Sequence, residues 1–416
     1  MQARIHRGAA EVGGNCIEVE AGGERLVLDV GWPITAAEGE DVVLPGVAGL
    51  ADGHDPSLLG VVISHPHADH YGLLTKVGAS VPVFIGESAS RILREAAFFS
   101  PLGISLQPSG YLRHRQTFDI GPFRITPFLN DHSAFDAYSL LIEGDGRRLF
   151  YTGDMRAHGR KAGLFEELLR RPPEGIDVLL MEGTHIREDS DGTERGPSEH
   201  DVEDACVDAC KETPGMVLAM FSPQNIDRLV TIYRACVRSG RDLVVDLYTA
   251  AIAVATGRET IPKADWERVR VYLPRSQRAR VIREQAFDRT DAVKADRIYP
   301  EELVTRRGQL VMLFRTSMSR ELEEIGCLEG ARAIWSMWPG YLREASGERL
   351  RAWLDRLGIP MVIHHASGHA FIPDLQRLVT ALAPRRVVPI HSFAGDRFEE
   401  FFPRVERRRD GERWEV

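Results

Sequence analysis

Ser64-His65-Pro66-His67-Ala68-Asp69-His70 places four potential metal-ligand side chains within six positions. The heptapeptide follows the apolar run Gly60-Val61-Val62-Ile63, which reads as a buried strand. A strand ending in such a turn presents imidazole and carboxylate groups at a sheet edge. His65 and His67 are two apart and in extended geometry point the same way. Asp69 and His70 follow the turn and can serve a second point nearby. Neutral imidazole and carboxylate suit zinc, and catalytic zinc sites keep one position for water.

The chain has 416 residues, enough for two domains or one large one with a substantial core. Its formal net charge of −9 argues against coating nucleic acid by bulk charge, while leaving room for a local basic groove. The N-terminus has no apolar signal segment, and no apolar run is long enough to span a membrane. The count of five scattered cysteines is odd and indicates a reducing, cytoplasmic setting. Cys206 and Cys210, one helical turn apart, lack a paired Cys or His set and read as ordinary helix residues.

Residues 1–30 are expected to form a β-hairpin punctuated by Gly13-Gly14 and Gly22-Gly23, with Asp29 either supporting the metal site or capping a turn. A Gly/Pro-rich loop over 32–58 precedes the histidine cluster. Glu87 to Phe99 has helical composition. The strand Phe123 to Phe128 delivers Asn130-Asp131-His132, and two His from one turn need such a distant partner to complete a site. A hairpin around Gly144-Asp145-Gly146 runs into Thr152-Gly153-Asp154, a carboxylate on a tight turn. The strand Asp177 to Met181 ends in Glu182-Gly183-Thr184. From about Pro197 strands alternate with helices, which predicts a parallel sheet with helices on its faces. One of those helices, Asn225 to Ser239, carries Ile226, Leu229, Val230, Tyr233 and Val237 on one face. Strand-end histidines then return, in Ser367-Gly368-His369-Ala370 and in Pro389-Ile390-His391.

Together these residues resemble the metallo-β-lactamase fold and, within it, the β-CASP nucleases, a group that includes ribonuclease J and the factor that cuts pre-mRNA 3′ ends. The resemblance covers nearly the whole chain. The run His65 to His70, His132 and Asp154 match the general metal motifs. Glu182 in Met-Glu-Gly-Thr, His369 in Ser-Gly-His-Ala and His391 in Pro-Ile-His look like the three β-CASP motifs. The implied fold is an αββα metallo-β-lactamase sandwich with an inserted α/β β-CASP cap domain. The sandwich would occupy residues 1–195 and 346–416, and the cap 196–345.

The resemblance implies that His65, His67 and His132 hold one metal. Asp69, His70 and His391 hold the other, and Asp154 bridges them. Asp69, His369 and Glu182 carry the catalytic roles, with His369 over the leaving oxygen as general acid and Glu182 orienting it. Two ions are expected, zinc by ligand type and manganese as the alternative. Paired metals can lower the pKa of a shared water and clamp phosphate oxygens, and a leaving oxygen needs a proton, which a histidine suits. The chain departs from ribonuclease J in two places. Phe314-Arg315-Thr316-Ser317-Met318-Ser319 stands where ribonuclease J has a Ser/Gly-rich phosphate loop, and the long C-terminal extension of that family does not appear in this sequence.

The expected partner is single-stranded nucleic acid, RNA ahead of DNA, with no membrane partner and an oligomeric state that sequence leaves open. Arg156, Arg160, Lys161, His158 and Ser367 are the expected substrate contacts, with His185 a further one. The arginines 268, 270, 275, 278, 280 and 283 form either an RNA track or a solvated face paired with Glu267 and Glu284. Tyr248, Trp335, Trp338 and Tyr341 are aromatic enough to stack bases, although Trp335 sits in an apolar strand and reads as core. The competing readings are a DNA nuclease of the same fold, a small-molecule metallo-hydrolase, and a binding scaffold with a decayed site.

Overall fold

A computed structural model describes residues 1–37, 40–101 and 103–416. Glu38 and Gly39, within the expected loop 32–58, lie outside the described residues, as does Leu102. The chain divides into two compact units, residues 1–196 with 368–416, and residues 197–367.

The first unit is built on two sheets. One has seven strands in the order Arg413–Glu415, Gln2–Arg7, Cys16–Ala21, Glu24–Leu28, Leu58–Val62, Val83–Gly86 and Gly110–Leu112. The other has six, in the order Arg386–Ile390, Val178–Glu182, Arg147–Tyr151, Tyr138–Gly144, Phe123–Leu129 and Phe118–Ile120. Strand periodicity of two sorts their side chains. Leu149 and Tyr151 join Ile17, Leu26, Leu28 and Val62 in the core between the sheets. Phe150, between them in sequence, faces the other way, toward Phe165 of the helix Ala162–Arg170 and Leu375 and Leu378 of the helix Ile372–Leu382. The helix Glu87–Phe99 covers the outer face of the first sheet through Ala89 and Leu93. The layers therefore run helix, sheet, sheet, helix.

Strand direction brings the chemistry to one edge. Arg147–Tyr151, Val178–Glu182 and Arg386–Ile390 are mutually parallel neighbours, with Tyr151 opposite Leu180 and Glu182 opposite Ile390. Their C-terminal ends deliver Asp154, Glu182 and His391 side by side. Phe123–Leu129 runs the same way, through two successive antiparallel pairings, and ends at His132. In the other sheet, Glu24–Leu28 and Leu58–Val62 are parallel and end at Asp29 and His65.

The second unit is a six-stranded parallel sheet, ordered Val269–Tyr272, Asp242–Asp246, Leu310–Leu313, Val217–Met220, Arg332–Trp335 and Met361–Ile363. The expected return to the first unit at 346 falls instead at 368. The cause is the last strand: Met361–Ile363 pairs with Arg332–Trp335, and the helix Ala345–Arg356 buries Leu350 and Leu354 in the same core. The expected face of the helix Ile226–Ser239 also changes. Val237 is 46% exposed, whereas Arg228 and Thr231 are buried. Among the described residues no helix is long and apolar enough to cross a membrane.

Candidate metal centre

Nine side chains expected from the sequence converge in the first unit. His65, His67 and His132 offer ligand atoms within 4.8 Å of one another; so do Asp69, His70, Asp154 and His391, and so do Asp154, Glu182, His369 and His391. Asp154 belongs to two of the groups. Its Oδ2 lies 3.5 Å from His65 Nε2 and 3.2 Å from His70 Nε2. His391 Nε2 is 3.3 Å from Asp69 Oδ2.

Hydrogen bonds behind the rings fix which nitrogen faces the centre. A carbonyl can only accept, so His132 Nδ1–H donates to Gly368 O (2.5 Å) and Nε2 keeps its lone pair. His70 Nδ1–H donates to Asp29 Oδ2 (2.7 Å). The Ser64 hydroxyl donates to Asp29 Oδ2 (2.8 Å) and so accepts from His65 Nδ1 (3.0 Å). His391 Nδ1–H points to Thr184 Oγ1 (2.8 Å). Each of these four rings turns its Nε2 inward. His67 differs, because its Nδ1 is the atom facing His132 Nε2, at 3.1 Å.

The donor set fits divalent cations. His65 Nε2, His70 Nε2 and both oxygens of Asp154 are buried without a hydrogen-bond partner, an arrangement that is costly unless something else satisfies those atoms. The 3.1 Å approach of two ring nitrogens is close to the roughly 3.3 Å edge of a tetrahedron with Zn–N bonds of about 2.0–2.1 Å.

The electrostatics separate the three-histidine group from His70. Burial, with His70 beside it, holds the His65 imidazole well below the usual histidine range. Burial likewise depresses His132 and brings His67 down to about 4. These rings are neutral, as ligation requires. Burial opposes ionisation of Asp154 and Asp69, but His391 and His70 overcome it and hold both well below the carboxylate range. Burial also opposes charge on His70, yet Asp154, Asp29 and Asp69 raise it well above the ordinary value.

His369 stands at the edge of this group, its side chain 21% exposed. Its Nδ1 is 3.0 Å from Glu182 Oε2 and 3.7 Å from Asp154 Oδ2. Burial lowers its affinity for a proton, but Glu182 and Asp154 more than offset this and raise its pKa to about 9. The other Glu182 oxygen accepts from Met155 N (3.0 Å), which holds the carboxylate in place.

The expected substrate contacts fare less evenly. Arg156 is completely buried, its Nε donating to Asp131 Oδ1 (3.3 Å) while Gly159 N donates to Asp131 Oδ2 (2.7 Å). That placement corrects the phosphate role expected for it: the guanidinium braces the turn preceding His132. Lys161 Nζ donates to His132 O (3.0 Å), and Arg160 is half-buried on the same loop. The His158 ring packs on Phe371 (5.1 Å), and His185 stacks on the same ring (4.4 Å). Ser367 falls in the second unit, half-buried at its end. Also there, Arg268, Arg275, Arg278 and Arg283 pair with Asp242, Glu324, Glu321 and Glu284, so most of the arginine run is a paired surface. Tyr248 is buried beneath Arg315, which is held by Asp246. Trp335 is core, while Trp338 and Tyr341 are exposed.

Several partners of the site carry no ligand spacing in the sequence: Ser64, Thr184, Tyr151 and the Gly368 carbonyl. Asp29 now has a definite place behind His70. Its φ of +59° turns the chain there, a conformation Asp tolerates better than most residues.

Comparison with known proteins adds a family context. Residues 41–219 match the family model described as a beta-lactamase superfamily domain. Ribonuclease J of Mycobacterium tuberculosis is 25% identical over 92% of this chain and 67% of its own length. Ribonuclease J of Pyrococcus abyssi is 21% identical over 92% of this chain and 88% of its own. A crystal structure of a protein of unknown function from Enterococcus faecalis aligns with a TM-score of 0.77 at 20% identity, covering 99% of both chains, a likeness of fold.

Proposed function

We propose that this chain, which has the metallo-β-lactamase fold and ribonuclease J relatives along 92% of its length, is a metal-dependent nuclease that hydrolyses phosphodiester bonds of single-stranded RNA. One observation carries the reading: buried, unsatisfied ligand atoms of His65, His70 and Asp154 converge beside a His369–Glu182 pair. In this reading the unit 197–367 is a β-CASP cap. The five cysteines, all buried free thiols, favour a reducing, cytoplasmic setting.

His65, His67 and His132 would hold one cation; Asp69, His70 and His391 a second; Asp154 both. Zinc suits the donor set, with manganese the alternative. A bound pair supplies Lewis acidity toward the phosphate oxygens and an activated water.

The chain's own residues do the rest. Glu182 keeps the Nδ1–H of His369 occupied and the ring oriented. The Glu182 carboxylate beside it also favours the protonated ring. As water adds to phosphorus, the scissile P–O bond breaks and the leaving oxygen takes the proton from His369 Nε2. The side chain is 21% exposed, and solvent restores the proton.

The test is a time course on end-labelled strands with zinc or manganese supplied, using 5′-monophosphate RNA, 5′-triphosphate RNA and DNA of the same sequence. Mononucleotides released from monophosphorylated RNA alone identify a 5′→3′ exoribonuclease, and internal fragments regardless of the 5′ end identify an endoribonuclease. DNA cut as fast as RNA moves the substrate to DNA. Metal-loaded protein that cuts no strand overturns the nuclease reading.

A further inference from the structure

Behind His70 lies a chain of buried polar groups that the mechanism above does not use. Asp29 is fully buried and accepts four hydrogen bonds. Ser64 N donates to Oδ1 (2.7 Å). The Ser64 hydroxyl (2.8 Å), His70 Nδ1–H (2.7 Å) and the Tyr151 hydroxyl (2.5 Å) all donate to Oδ2. Tyr151 is itself fully buried, and its oxygen accepts from Asn15 Nδ2 (3.3 Å). Asn15 is 1% exposed and follows Gly13-Gly14, just before the strand Cys16–Ala21. Its carbonyl accepts from Gly31 N (2.9 Å), and a Cβ at Gly31 would come within 1.8 Å of Asp69 O, so backbone and side chain of Asn15 lead toward two different ligands.

We infer that Tyr151, supported by Asn15, is a positioning residue for the half of the centre that His70 serves. The argument is geometric. A buried carboxylate has no water to hold it, so its position and charge depend on its donors. Tyr151 contributes one of four, on the same oxygen that orients His70. The phenol also stands on the strand that runs on to Asp154, so it ties a ligand of one sheet to a carboxylate rooted in the other. Outer partners of this kind set ring orientation and basicity, and their loss typically weakens metal affinity about 10–100-fold. Among the described residues, His65 is reached from Asp29 through Ser64, and His67 and His132 make no hydrogen bond to this network, so the effect falls on one half of the centre.

The inference rests on the reading that the cage holds metal, and calorimetric titration of metal-stripped protein with zinc tests both separately. Wild type is expected to show two binding events. Tyr151→Phe keeps the ring and its packing and should weaken one event about tenfold or more while the other stays within about twofold. Asn15→Ala should weaken the same event by less. Tyr138→Phe is the control, since its hydroxyl donates to Asp136 (2.7 Å), which caps the helix Glu87–Phe99 rather than a ligand. It should change neither event. Unchanged affinities in Tyr151→Phe, or equal losses at both events alongside a lower melting temperature of the metal-free protein, overturn the positioning role. Wild type that binds neither zinc nor, in a parallel titration, manganese overturns the metal reading instead.

Discussion

Each unit buries a cluster of charged side chains, and the two clusters end differently. In the second unit Arg228 is fully buried and closed on all sides. Nε and Nη2 grip Glu199 (3.1 and 2.9 Å), Nη1 donates to Ser336 O (2.5 Å), and Nη2 also reaches Ala366 O (3.3 Å). Thr231 Oγ1 donates to Glu199 Oε2 (2.6 Å). In the first unit, His65 Nε2, His70 Nε2 and both Asp154 oxygens end on one another without a hydrogen bond. A closed network fixes packing. An open one, whose backs are all tied and whose fronts all face one point, has the form of a receptor for cations.

That contrast can be broken experimentally, most severely at its catalytic edge. His369→Ala should lower RNA cleavage about 10²–10⁴-fold while zinc content stays as in wild type. Full activity in H369A would remove His369 from the chemistry, and loss of zinc would make it a ligand. Next comes the closed network. Arg228→Ala leaves Glu199 buried and uncompensated, and urea denaturation should show a loss of about 3–5 kcal/mol. The double variant R228M/E199L should lose much less, because the two buried charges leave together. Equal losses in both would mean that packing, rather than charge pairing, dominates there.

Zinc binding sharpens the comparison from the other side. At one hundred times the dissociation constant, a bound ion should stabilise wild type by about 2.7 kcal/mol, seen as a higher melting temperature that a chelator reverses. Asp154→Asn should reduce that gain, and Arg228 variants should keep it. The smallest effect is expected on the arginine run. Replacing Arg275, 57% exposed and paired with Glu324, by alanine should leave the melting temperature nearly unchanged, because solvent screens such surface pairs, with RNA cleavage within about twofold of wild type. A large loss of cleavage would restore that run as an RNA contact.

The sequence makes the open cluster far easier to see than the closed one. Ligand-type residues recur at strand ends, and parallel strands put those ends on one edge, so His65 to His70, His132, Asp154, Glu182, His369 and His391 stand out from the sequence alone. The helix Glu87–Phe99 was equally legible, since its composition and the nearby Pro101 mark its limits. What escaped is whatever depends on tertiary partners. Arg156 reads as an exposed cation until Asp131 is seen beside it. Arg228 reads as the polar face of an amphipathic helix until Glu199 draws it inside. The strand Met361–Ile363 has the same apolar pattern whichever sheet it joins, so the sequence puts the return to the first unit at 346, whereas the structure has it at 368. Tyr151 and Asn15 carry no spacing at all.

The central claim is that the open cluster is a cation centre, and counting metal in the purified protein tests it most directly. Elemental analysis after zinc loading and removal of excess should give two zinc ions per wild-type chain and fewer in Asp154→Asn. A folded wild-type chain that retains no zinc and no manganese would contradict it.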